Sequence, residues 1–210
     1  EDIKKYNINE LEVLAQELRE AIINKVSDCG GHLASNLGIV ELTIALHYVF
    51  DAPKDKFVFD VSHQTYCHKM LTGRKAAFIK KENYKDVTGF SNPKESEYDL
   101  FALGHTSTSV SLACGLAKAR DLKHDSENVI AVIGDASLDG GEAFEALNCA
   151  AEINSNLIVV INDNEMSIPE NHGALGRHLK QLKESAGKQK DNFFKALGFE
   201  YHLIENGNDL

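Results

Sequence analysis

The segment "VIAVIGDASLDGGEAFEALNCAAEINSNLIVVINDNEMS", residues 129–167, decides the fold class. Residues 129–133 and 157–161 are nearly all aliphatic, as strands buried on both faces should be. Between them, residues 141–152 read as a helix opened by Gly140 and Gly141. This order implies a βαβ unit with a right-handed crossover, which brings both carboxyl strand ends to one sheet edge. Asp135 follows the first strand, and Asn164 follows the second 29 positions later. Ligands of open α/β sheets bind at that edge, so these two oxygen-bearing side chains are expected to be neighbours.

Outward from this unit, strands and helices continue to alternate. Residues 9–26 place Leu11, Leu14, Ala15, Leu18, Ile22 and Val26 on one helical face, with Asn9 and Glu12 spaced as a capping box. A second helix is expected across residues 37–50, with His47 packed inside it. A short strand from Phe57 to Val61 stops at Ser62 and His63, and a helix from Gln64 to Leu71 is closed by Gly73. Residues 76–99 are polar and read as an irregular surface segment. The small-residue stretch 104–122 reads as a helix able to pack closely, and a charged helix near 176–197 leads to a strand "FEYHLI". The expectation is a single α/β domain, its mostly parallel central sheet flanked by helices on both faces.

Composition narrows the function classes. The chain has 210 residues, 43% of them hydrophobic and 26% charged, with a formal charge of -10. That charge disfavours a nucleic-acid backbone as partner, which requires clustered Lys and Arg. No apolar run approaches the roughly 20 residues that cross a bilayer, and no signal peptide is visible. The four cysteines form no CxxC pair, which argues against a disulfide framework or a thiolate zinc site and fits reduced thiols in a cytoplasm. His63 and His68 lie five apart, a poor spacing for two zinc ligands on one helical face. The first residue is not Met, and Asn208 near the last reads as a helix N-cap without its helix, as in a piece of a longer protein.

Asp135 and Asn164 are hard oxygen donors. With a backbone carbonyl, that of Met166 for instance, they supply about half of an octahedral Mg²⁺ shell that phosphate oxygens and water complete. The free amides and positive dipole end of the helix after Gly140 could face an anion. Asp and Asn after strands also cap helices and turns, and their spacing leaves both readings open. No GxxxxGK[ST] and no GxGxxG after a strand is present, which disfavours P-loop and dinucleotide sites.

A wider pattern adds to this. "GDA" followed by "NDN" resembles the thiamine-diphosphate signature, a GDG with a paired Asn nearly thirty residues later. "GGHLASNLGIVELTIALHYVF", "FDVSHQTYCHKMLTGR", "ESEYDLFALGHTSTSVS" and "GEAFEALN…VVINDNEMSIPENHGAL" resemble, in the same order, the 1-deoxy-D-xylulose-5-phosphate synthase family of transketolase-like enzymes. The resemblance covers nearly the whole chain. It implies a synthase condensing pyruvate with glyceraldehyde 3-phosphate with loss of CO2, using thiamine diphosphate and Mg²⁺, as a cytoplasmic homodimer. Asp135, Asn164 and the Met166 carbonyl would hold Mg²⁺. Gly104, His105, Thr106, Ala136 and Ser137 would line the cofactor and its diphosphate. His63 would lie against the cofactor, and His32 would move protons around the substrate. From the residues alone, His32 could occupy a turn, His63 a helix cap and His105 a loop.

Three features depart from the family pattern. Ala136 stands where the signature has glycine, which restricts the backbone if that turn needs positive φ and adds a methyl beside the diphosphate. The family's DGHD appears as "NGND", with Asn208 in place of the histidine. The stretch after "GALGRHL" is short, as in a shortened variant with altered substrate choice. The glutamate that activates the aminopyrimidine and the arginines for substrate phosphate lie, in the family, in later domains outside this chain. These 210 residues would therefore supply only the diphosphate-binding part. A transketolase-type ketol transfer and a non-catalytic cofactor-binding subunit remain as alternatives.

Overall fold

A computed structural model describes residues 3–163 and 173–210. Three strands, β1 (Lys56–Phe59), β2 (Val129–Gly134) and β3 (Leu157–Asn162), form a parallel sheet in the order β1-β2-β3. Phe59 pairs with Val132, and Gly134 with Asn162, so the three carboxyl ends share one edge. The expected central unit is present: β2, then α7 (Asp135–Leu138) and α8 (Gly141–Ile153), then β3.

Alternate residues of β2 feed two different cores. Val129, Ala131 and Ile133 pack with α6 (Ser109–Lys123), α8 and α9 (Ala174–Glu184). Ile130 and Val132 turn the other way, joining Phe57 and Phe59 of β1 against Ile39 and Leu46 of α3 (Val40–Val49). Behind α3, α1 (Ile8–Cys29) closes a further cluster with Tyr66 and Phe78. Helices thus cover both faces, and continuous apolar runs are the consequence. Each fully buried Ile or Leu contributes about 2–3 kcal/mol of transfer free energy. Small residues let α6 approach the sheet, with Ala113 and Ala117 fully buried.

Several local expectations are corrected. The capping box of α1 lies two residues earlier: the Asn7 side chain accepts from the Glu10 amide and the Glu10 carboxylate accepts from the Asn7 amide. The sequence satisfies the box spacing at both 7/10 and 9/12, and the earlier pair yields the longer helix. Asn7→Ala is expected to cost about 1 kcal/mol of stability in thermal unfolding, and Asn9→Ala close to nothing. The helix expected across 37–50 is α3, which starts at Val40 because the chain turns at Gly38 and Ile39, and a separate short helix, α2 (Leu33–Leu37), precedes it.

β1 stops at Phe59 rather than Val61, and Val61 and Ser62 take positive φ. The helix expected over Gln64–Leu71 is α4 (Tyr66–Lys69), which runs into a wide turn broken at Gly73, φ +93. A single turn of helix follows as α5 (Ala76–Ile79). The helix expected from residue 104 begins only at Ser109. The charged helix divides into α9 and α10 (Phe193–Ala196), separated by Ala186 and Gly187 at positive φ. "FEYHLI" is not a strand. Its Phe199 and Tyr201 pack on the core and Tyr201 stacks on Phe194, so the side chains alternate as in a strand without a ladder.

Candidate functional site

At the carboxyl edge of the sheet each strand end carries a carboxylate. Asp60 follows β1, Asp135 follows β2 and Asp163 follows β3. Asp60 is 1% exposed, and its two oxygens accept from the Ser107 and Ser109 amides, each at 2.9 Å. This anchors the loop 104–108 on β1, with Ser107 held at φ 70. From that loop Thr106 Oγ1 donates to Ser137 Oγ at 2.7 Å, and Ser107 Oγ donates to the Ser137 carbonyl at 2.7 Å. Gly104 and His105 lie exposed on the same loop, the His105 ring bonded to the Thr106 carbonyl.

Next to this loop α8 begins. No side chain caps its first amides, and a Cβ on Gly140 would overlap Ser107 Oγ, so only glycine allows this approach. Ala136 lies in the helical turn α7, exposed and without positive φ, so alanine there carries no backbone strain. Asp135 is buried, and burial together with the negative charge of Asp163 pushes its carboxyl above the ordinary range. Asp163 is paired with Lys183 of α9 at 2.9 Å. A cation between the two carboxylates would relieve their repulsion. Asn164 and Met166 lie outside the described residues, and among the described residues no three His, Cys, Asp or Glu side chains form a metal cluster.

The two candidate histidines meet although they are 31 positions apart in sequence. His32, at the start of α2, and His63, after β1, stand edge to face with ring centres 5.4 Å apart. Phe90 packs on His32 from the segment 76–99 at 5.2 Å, and Tyr66 reaches its Nδ1 at 3.4 Å. Burial, and next the proximity of His32, hold the His63 pKa below its ordinary value. Its Nδ1 is buried with no protein partner among the described residues. Strain precedes it: Val61 (φ 56) and Ser62 (φ 69) sit in a region that a β-branched residue rarely adopts. Ser62 is held there by its own Oγ, which accepts from the Ser91 amide, and by Thr65, which donates to its carbonyl.

Sequence reading missed Asp60, Asn36, Tyr66, Phe90 and Asp163. Asp60 carried the same signal as Asp135, an acid directly after an apolar run. The polar segment 76–99 is not a loose surface stretch. It carries Phe90 to His32 and is fastened from behind by buried ion pairs, Lys69 with Glu95 at 2.6 Å and Arg74 with Asp99 at 2.7 Å.

A parallel sheet whose carboxyl edge gathers carboxylates, hydroxyls and an uncapped helix start defines the class of α/β domains that bind ligands at that edge. The family model for 1-deoxy-D-xylulose-5-phosphate synthase matches residues 1–195, and the chain belongs to this family. Similar proteins carry that name. One from Carboxydothermus hydrogenoformans is 56% identical over 194 residues, 90% of this chain and 31% of the relative. One from Desulforudis audaxviator is 56% identical over 182 residues, 87% of this chain and 29% of the relative. One from Syntrophomonas wolfei is 45% identical over 245 positions, covering all of this chain and 38% of the relative. The chain thus spans about a third of the length of these relatives. The last match is longer than the 210 residues present, so that relative carries residues with no counterpart here, consistent with a shortened form.

Proposed function

We propose that this chain is the diphosphate-binding part of a transferase that condenses pyruvate with glyceraldehyde 3-phosphate to 1-deoxy-D-xylulose 5-phosphate and CO2. One observation carries the reading: in a chain of the synthase family, Asp135, the Thr106–Ser137 hydroxyl pair and the open start of α8 converge at one sheet edge. A buried carboxylate, hydroxyls and helix amides are a donor set suited to a diphosphate bridged by a divalent cation. Thiamine diphosphate, when bound, supplies the carbanion and electron sink for the carbon–carbon chemistry.

In this reading Asp135, with Asn164 and the Met166 carbonyl, holds Mg²⁺ and so neutralises diphosphate charge. Gly104, His105, Thr106, Ala136 and Ser137 line the cofactor, the Ser137 hydroxyl donating to it while accepting from Thr106. His63, neutral near pH 7 because its pKa is depressed, offers its unpartnered Nδ1 to cofactor or substrate. His32 moves protons at the reacting centre. The remaining domains complete the site, and the complete protein is a cytoplasmic homodimer. Among the described residues no helix is long and apolar enough to cross a membrane.

Two measurements on the complete protein test this. Incubation with pyruvate and glyceraldehyde 3-phosphate is expected to release CO2; turnover of a ketose phosphate without CO2 indicates a transketolase-type transfer instead. Calorimetry with thiamine diphosphate and Mg²⁺ is expected to show binding that Asp135→Ala weakens at least tenfold. Equal affinities for the two proteins remove Asp135 from the metal site, and cofactor binding without turnover of either donor points to a non-catalytic cofactor-binding subunit.

A further inference from the structure

Asn36 belongs to the short helix α2, yet it is fully buried and every polar atom of its amide is used. Its Nδ2 donates to the His32 carbonyl at 2.6 Å and to the His63 carbonyl at 2.8 Å. Its Oδ1 accepts from the Tyr66 amide at 2.9 Å. One side chain therefore ties together the backbones of both candidate histidines and the start of α4. The Tyr66 hydroxyl accepts from the His32 amide at 3.3 Å and lies 3.4 Å from His32 Nδ1. A hydroxyl has a single proton, and His32 Nδ1 is its one acceptor among the described residues. Tyr66 therefore donates to Nδ1, which places the proton of neutral His32 on Nε2. Gly31 and Gly89 make room for this hydroxyl, since a Cβ on either would crowd it, at 2.8 and 3.4 Å.

The geometry points to Asn36 and Tyr66 as positioning residues for the chemistry of His32 and His63, Asn36 fixing the separation of the two rings and Tyr66 fixing the tautomer of His32. The inference rests on the functional reading of the two histidines given above. The requirement is specific to an amide. An aspartate at position 36 has no proton to give and would set a carboxylate against two carbonyl oxygens, while an apolar residue would leave the His32 and His63 carbonyls and the buried Tyr66 amide without this partner. Neither Asn36 nor Tyr66 needs to touch substrate, because a misplacement of about 1 Å in a reacting group can reduce the rate a hundredfold. The titratable groups facing the pair are the two histidines themselves, Tyr66 from α4 and Asp60 from the end of β1; Phe90 packs on the His32 ring.

The test uses the complete protein with pyruvate and glyceraldehyde 3-phosphate, recording CO2 release from pH 5.5 to 9 beside calorimetric thiamine diphosphate affinity. Asn36→Asp and Tyr66→Phe are each expected to lower kcat at least tenfold and to shift a limb of the pH–kcat profile by half a unit or more. Cofactor affinity should stay within threefold. A mere loss of folded enzyme would scale the rate without moving the profile. Should Asn36→Asp fail to fold, Tyr66→Phe, which keeps the ring and its packing, decides the matter. A folded variant whose kcat and profile match the wild type overturns the inference, and so does a fall in kcat with an unmoved profile. An inactive wild-type protein overturns instead the functional reading on which the inference rests, and is recognised before any variant is compared.

Discussion

Asp60→Ala is expected to lower stability by about 3 kcal/mol and to weaken thiamine diphosphate binding by the complete protein at least tenfold. Asp60 lies 1% exposed at the end of β1, and each of its oxygens serves one backbone amide, those of Ser107 and Ser109. Hydrogen bonds to a charged acceptor contribute about 1.5–3 kcal/mol each, and a buried amide left unpaired costs a further 1–3 kcal/mol. The sum is held to about 3 kcal/mol because alanine also removes a buried charge that is costly to desolvate. The consequence for the site follows from position. Asp60 holds the Ser107 backbone at φ 70, while the Ser107 hydroxyl reaches the Ser137 carbonyl; the residue carries Thr106 toward Ser137 and leaves room for Gly140 only. Asp60→Asn keeps one acceptor but turns amide hydrogens toward the second N–H, so it should recover only part of the loss. Denaturant unfolding gives the stability change and calorimetry the affinity. Stability lost with affinity intact would separate the 104–108 loop from cofactor binding.

The parts of this fold legible in the sequence are those where one constraint dominates. β2 lies between two helical layers, so its residues must be apolar in succession, and the run itself announces the strand; β3 beside it carries the same run although its side chains are only partly buried. Asp135 was visible because a carboxylate interrupts such a run. Asn36 was not: in "GGHLASNLG" it is an ordinary polar residue, and its partners lie 4, 27 and 30 positions away. The loop start at residue 104 was hidden for the same reason, since Asp60 acts across 47 positions to keep Ser107 out of helix. Segment 76–99 misled differently. Its charges suggested solvent, yet Lys69 and Arg74 bury against Glu95 and Asp99, and paired charges can be interior where single ones cannot. Strand-like alternation in "FEYHLI" was real, but it served packing of Phe199 and Tyr201 rather than pairing.

The same buried charges make stability sensitive to acid, and lowering the pH from 7 to 5 is expected to cost at least about 2 kcal/mol. His47 Nε2 and His68 Nδ1 are 2.9 Å apart, and His68 Nε2 faces Asp99 at 3.4 Å. The neutral tautomers form a chain in which His47 donates to His68 and His68 donates to Asp99. Burial, with the neighbouring His68 second, depresses the His47 pKa from 6.5 to about 3. Burial also lowers His68, although Asp99 opposes it. Asp99 itself is held well below the usual carboxylate range: burial alone would raise it, but hydrogen bonds from His68, Arg74 and the Asn92 amide outweigh that. With a depressed pKa in the folded state, the unfolded chain binds more protons below pH 6.5. The stabilisation is therefore complete above 6.5 and is lost as pH falls toward 3. At pH 5 the His47 shift alone amounts to about 2 kcal/mol, and His68 adds with the same sign. His47→Gln retains a donor for His68 and cannot titrate, so it should flatten the profile between pH 6.5 and 5 while changing stability little at pH 7.5. Denaturant midpoints across this range measure the slope. A slope equal to that of the wild type would remove His47 from the acid response and leave it to His68 and the carboxylates of the segment that seats Phe90 on His32.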